Sequence, residues 1–163
     1  MRAAGVCPAG ARGYYEVEVL GPLDSPQIGF CAETWVRSSE HRGIGVGDDA
    51  ESWGVEGDRA RKWHQGDAGA FGSFWQTGDV VGLAVDLTDD AGGGGGGGQL
   101  WASVNGDFAA PHGLAFTLPR GLQTLHPALV AGTGCVHVNL GQRPFRYAPP
   151  GPGFLPLMAW NHE

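Results

Sequence analysis

The sequence predicts an all-β protein, an antiparallel β-sandwich of about ten to twelve short strands. Three observations predict it. Glycine supplies 30 of the 163 residues and is spread along the chain as well as gathered in one run, which suits many tight turns. Apolar and polar residues alternate over short stretches, the period of a strand with one buried face. No apolar face of helical period exceeds about two turns, and no heptad or internal repeat is present.

The elements follow in order. Residues 1–12 are small and read as a flexible lead-in. Tyr14–Leu20 alternates, with Tyr15, Val17 and Val19 on one face; it reads as a half-buried strand stopped by Gly21-Pro22. Gln27–Ala32 is a second strand, with Ile28, Phe30 and Ala32 on one face. Residues 33–42 form a loop. Gly43–Gly47 reads as a short strand and Asp48-Asp49 as a turn. Ser52–Val55 and Arg59–His64 read as strands joined by a turn at Glu56-Gly57-Asp58. Gln65-Gly66-Asp67 turns again, and Gly69–Thr77 reads as a loop. Asp79–Leu87 is the strongest strand signal, apolar on both faces and therefore central. Residues 88–99 form a hairpin tip with a glycine run, Gly92–Gly98, an insertion that such tips tolerate. Leu100–Val104 returns, and Asn105-Gly106 is a two-residue turn signal. Ala115–Phe116 is an edge piece, His126–Val130 and Val136–Leu140 are late strands, and Phe145–Tyr147 closes the pattern. Residues 150–163 are a Pro/Gly-rich exit and a tail that folds back as a short helix or strand.

Charge narrows the function. The net charge is −7, with no basic stripe, which argues against nucleic acid and anionic membranes and favours a basic or polar partner. No apolar run is long enough to span a membrane, so no membrane insertion is expected. Cys7, Cys31 and Cys135 are odd in number and lack metal-ligand spacing, which argues against a disulfide framework and a zinc site. Cys31 and Cys135 read as small buried apolar residues, a Cys31–Cys135 disulfide being the lesser alternative. An intracellular, cytoplasmic protein without cofactor or metal is the expectation.

Seven motifs stand in order: GYYEVEVL at Gly13–Leu20, QIGFCA at Gln27–Ala32, and GVGDDAESWGVEGDRARKWHQG at Gly45–Gly66. GDVVGLAVDL at Gly78–Leu87, SVNG at Ser103–Gly106, HPAL at His126–Leu129 and VNLGQRPFRY at Val138–Tyr147 complete the set. This series resembles the SPRY domain family over residues 13–149, and is closest in flavour to SPRY modules of large scaffold or channel proteins. The resemblance implies a bent, concanavalin-like jelly-roll sandwich of two antiparallel sheets. It also implies a non-catalytic protein-interaction module whose loops at one end grip a peptide or partner domain. The family's peptide-binding, SOCS-box-linked members place their contacts at positions matching Arg42, Ile44, Gly45 and Gly47, and Gly132, Thr133 and Gly134. Those members carry larger side chains at Gly132 and Thr133, so their asparagine-rich ligand is not carried over. Ala102 stands where the family usually has Phe. No PRY-type, RING, B-box or SOCS-box pattern appears, so ligase activity by this chain alone is not expected. The ragged lead-in and Pro-Gly exit suggest a piece of a larger polypeptide.

The candidate surface is therefore Trp35, Arg37, His41, Arg42, Ile44, Gly45, Gly47, Gly132, Thr133 and Gly134, and its partner a protein or peptide. Blander roles compete. Trp53 and Trp63 read as core rings, Asp48 and Asp49 as turn caps rather than calcium ligands, and His64 as a hydrogen-bonded structural residue. The Arg59, Arg61 and Lys62 cluster reads as locally paired. Ser73 sits in a loop with no base in view. Alternatives are a lectin-like site, with Trp35 or Trp75 stacking on a sugar and Asn105 or Asp107 orienting its hydroxyls, and an assembly contact in a scaffold. A histidine hydrolase ranks last, because no nucleophile, base and orienting group can be assembled.

Overall fold

The structure is a computed structural model, described here for residues 5–35, 45–91 and 97–160. It is all-β, with twelve strands among the described residues: β1 Cys7–Pro8, β2 Arg12–Val19, β3 Gln27–Ala32, β4 Ser52–Glu56, β5 Arg61–His64, β6 Asp67–Ala70, β7 Val80–Asp86, β8 Gln99–Val104, β9 Gly113–Thr117, β10 Thr124–Val130, β11 Val136–Asn139 and β12 Leu155–Pro156. One sheet runs β1-β10-β3-β4-β5-β6; the other runs β11-β2-β7-β8-β9. Neighbours on these paths are antiparallel, and β12 adds to β2 in parallel. The central place expected of Asp79–Leu87 is where β7 lies, in the middle of the second sheet.

The core is the space between the sheets. Ile28, Phe30, Trp53, Val55 and Leu125 enter from one side, and Tyr15, Val17, Val81, Leu83, Val85 and Leu100 from the other, all buried. Each such side chain stabilises the fold by roughly 1.5–3 kcal/mol. Tyr15 reaches across: its hydroxyl donates to the Gly29 carbonyl, and its ring meets Phe30 edge-on at 5.3 Å. Burial pushes its phenol well above the ordinary range.

The structure departs from the sequence reading at five places. Tyr14 and Glu16 face away from the core yet are buried, so β2 is covered on both faces. The cover is the segment after β11, including Phe145–Tyr147, which is not a strand: the Arg146 and Tyr147 N–H groups donate to Glu16 at 3.0 and 2.9 Å. Gly45–Gly47 forms no strand, and Gly47 sits at φ 102°. The expected loop after Asp67 begins as strand β6, zipped to β5 through the Gln65-Gly66 turn despite its weak strand composition. The lead-in is partly ordered: Cys7–Pro8 pairs with Leu125 and Thr124, and Cys7 is fully buried, which raises its thiol to about 12. The tail, by contrast, folds back as expected, as β12 and a 3-10 turn, Leu157–Trp160, whose Leu157 is in the core.

Candidate partner-binding surface

Four connections meet at the end of the sandwich where β2 finishes: residues 20–26, 57–60, 71–79 and 131–135. Their backbones are tied together. Asp24 N–H donates to Thr133 O at 3.2 Å, and Gly132 N–H donates to Asp24 O at 2.8 Å. Leu20 N–H reaches Cys135 O, Gly78 N–H reaches Val19 O, and Trp75 N–H reaches Gly57 O. The Ser25 N–H donates to Asp58 Oδ2 at 3.0 Å. These bonds hold Gly132, Thr133 and Gly134 in place while leaving them exposed.

The other predicted cluster is arranged differently. Gly45 and Gly47 are buried, lying on the outer face of the first sheet. Gly54 allows that contact, because a Cβ there would sit 2.3 Å from the Val46 carbonyl oxygen. Trp35 is also buried, at 6% exposure, in a small second core with Cys31, Val46 and Ala128. Its indole N–H has no hydrogen-bond partner among the described residues. Trp35, Gly45 and Gly47 thus form a roof rather than a contact surface. Both clusters abut the start of β3: Gly45 packs on Gln27, and Gly132 on Asp24. Arg37, His41, Arg42 and Ile44 lie outside the described residues, as do Gly43 and most of the glycine run.

The acidic turns hold the roof down. Asp48 accepts from the Gly45 N–H and from Gln27 Nε2, the latter at 3.2 Å. Asp49 Oδ1 accepts from the Glu51 N–H and the Ser52 hydroxyl, both at 2.9 Å, and Ser52 Oγ accepts from the Gly47 N–H. These carboxylates act as caps. At the roof's edge Glu56 is buried beneath a fork from Arg59, and Trp63 Nε1 donates to it at 2.7 Å. Burial raises the Glu56 carboxyl above its ordinary range, Arg59 and Trp63 pull it back, and Asp58 pushes it up.

The remaining aromatic and polar candidates have structural partners. Trp53 is buried, stacked on His64 at 4.8 Å, and His64 Nδ1 donates to Ser52 O. Trp63 is half-buried under Arg59. Lys62 Nζ donates to Ala115 O at 2.6 Å, and Arg61 is exposed. Asn105 bonds Val80 N–H and Asp79, Asp107 accepts from Ala109 N–H, and Trp75 packs on Gly57. The proposed sugar-orienting groups are therefore occupied within the fold. Ser73 does have a base, which its sequence context could not reveal: His112 Nε2, 39 residues on, lies 2.9 Å away. The other ring nitrogen, Nδ1, is buried without a partner among the described residues, and none of them orients the pair as a third group. The three cysteines form no disulfide, and Cys135 is exposed rather than buried. Among the described residues, no group of three or more His, Cys, Asp or Glu is placed to hold a metal, and no helix is long and apolar enough to cross a membrane.

Comparison with known proteins agrees with this architecture. A relative named E3 ubiquitin-protein ligase RKP, from Arabidopsis thaliana, is 34% identical over 121 residues, which are 69% of this chain. The chain spans only 8% of that relative's length. The SPRY domain model matches residues 12–143, from the first residue of β2 to just beyond β11. On that match the chain belongs to the SPRY domain family.

Proposed function

We propose that this domain is a non-catalytic recognition module that takes a peptide segment or a partner domain on the loops at one end of the sandwich. SPRY domains are commonly protein-interaction modules, and generally non-catalytic. The observation that carries the site assignment is the exposed Gly132-Thr133-Gly134 turn, pinned by backbone bonds to Asp24. A rigid sandwich that presents tied-down loops loses little entropy on binding. Arg37, His41, Arg42 and Ile44 are proposed as further partner contacts. The domain works inside a larger polypeptide or complex in the cytoplasm, a setting that suits cysteines that form no disulfide. The ligase in the relative's name suggests one such context, with this domain choosing the partner.

Peptides selected from a random displayed library, titrated into the labelled domain and followed by amide chemical shifts, test this. The expected shifts cluster on Ser25, Thr77 and Gly132–Gly134, and Thr133→Trp abolishes them. Shifts centred instead on the opposite end, around Thr88 and Pro119–Gln123, would sink the assignment, as would a failure to select any peptide.

A further inference from the structure

Between residues 20–26, 57–58 and 75–77 lies a notch of about 40 Å³, room for roughly three waters. Its walls are apolar, built from Pro22, Leu23, Pro26 and Trp75. Next to Trp75 in the chain, Phe74 is the most exposed of the large hydrophobic side chains, at 68%. One wall carries the carboxylate of Asp58, whose side chain is 31% exposed.

Negative charge is in excess there. Ser25 links two carboxylates, giving its N–H to Asp58 and its hydroxyl to Asp24 Oδ1 at 3.2 Å. Glu56 lies close enough for Asp58 to push its carboxyl up. Among the described residues Glu56 and Asp58 face one guanidinium, that of Arg59, and both of its hydrogen bonds go to Glu56. Arg59 Nε stays 4.0 Å from Asp58 Oδ1, a buried oxygen with no hydrogen-bond partner among the described residues, while Oδ2 accepts from the Ser25 N–H. Arg61, opposite Glu56 in the ladder, makes no ion pair among the described residues. An apolar slot with an under-neutralised carboxylate matches a side chain that has an aliphatic stem and a cationic head.

We propose that this notch receives a lysine or arginine side chain of the protein partner, its stem against Trp75 and the prolines and its cation between Asp58 and Asp24. The proposal rests on the reading that this end of the sandwich takes a protein partner. The net charge of −7 would steer a basic segment toward it.

The probe is a random twelve-residue peptide library, selected at low salt on the wild-type chain and on Asp58→Asn. Asparagine keeps the shape and an oxygen to accept the Ser25 N–H. Peptides selected by the wild type should be enriched in Lys or Arg at one register, and Asp58→Asn should lose that enrichment. A selected peptide should bind Asp58→Asn about tenfold more weakly, and its norleucine replacement should bind both proteins equally. Asp24→Asn, at an exposed position, serves as a second variant and should give a smaller loss. If the selected peptides shift this end of the sandwich but carry no basic enrichment, or bind both variants as tightly as the wild type, the notch proposal fails and the recognition reading stands. If no peptide is selected by any of the proteins, both fail.

Discussion

Glu16 and Glu56 are buried carboxylates on opposite outer faces of the sandwich, and the two are held in opposite ways. Under the second sheet's cover, Glu16 is 2% exposed and accepts from two backbone N–H groups, of Arg146 and Tyr147, and from the Tyr14 hydroxyl at 3.3 Å. Beside the first sheet's roof, Glu56 is equally buried but is held by side chains, the Arg59 fork and the Trp63 indole. The first arrangement fastens a length of chain to the sheet, and Tyr14 meeting Phe145 edge-on at 4.8 Å reinforces it. The second leaves the roof itself held by close backbone contact and by turn caps. A face closed by a strap is scaffold. A face roofed by a loop can change its loop without changing its sheet, which is where recognition can diverge.

The largest expected effect comes from cutting the strap. Glu16→Ala leaves the buried Tyr14 hydroxyl and two partly buried backbone N–H groups without their acceptor, and at the lower end of ~1–3 kcal/mol for each such group the loss should be about 3 kcal/mol. Thermal unfolding should fall by roughly 6–12 °C for a chain of this size. Glu16→Gln, which keeps an acceptor, should lose less. If Glu16→Ala melts with the wild type, the strap is not what closes this face.

A smaller effect should follow from lifting the roof. Gly54→Ala drives a methyl against the Val46 carbonyl, an overpacking that costs ~1–3 kcal/mol. Hydrogen exchange should accelerate at Gly47, whose N–H is bonded to Ser52, and stay unchanged at Tyr147. Equal acceleration at both would mean that the two faces are one cooperative unit, and the contrast between them would dissolve.

The contrast also explains what could be read in the chain. β7 was legible because its apolar run speaks for itself, and Asn105-Gly106 because its turn needs those residues: both sit at positive φ, 52° and 77°. The Arg59 fork was legible as a local pairing, since Glu56 is three residues away. The strap was not, because a carboxylate that binds backbone N–H groups 130 residues later leaves no mark on the residues it binds. β6 was missed for a related reason: Asp-Ala-Gly-Ala has no strand propensity, and its pairing comes from the hairpin and the ladder. Of the predicted surface, Gly132–Gly134 is exposed where a partner could reach, whereas Trp35, Gly45 and Gly47 are buried. Burial of a loop tryptophan depends on what lies beneath it, here Cys31 and Ala128 from two separate strands.

Trp35→Phe probes the roof more gently. The wild-type ring buries an indole N–H without an acceptor among the described residues, at a cost of ~1–3 kcal/mol, so its removal offsets the smaller ring that replaces it. Stability in urea should stay within about 1 kcal/mol of the wild type. A loss beyond ~3 kcal/mol would mean that the N–H is bonded in the folded protein after all.

The finest distinction between the faces is their response to pH, and it turns on Glu56. Its carboxyl is raised, first by burial and then by Asp58, against the pull of Arg59 and Trp63. A carboxyl that holds its proton more tightly when folded stabilises fully below its unfolded value, and that contribution is lost as pH rises through the folded value. Relative to Glu56→Gln, the wild type should therefore lose stability as pH climbs from the ordinary glutamate range, near ~4.3, toward neutrality. Urea midpoints for the pair across that range give the sign directly. A gap that instead widens in the wild type's favour would show that the Arg59 fork outweighs burial, making Glu56 a net clamp on the roof's edge.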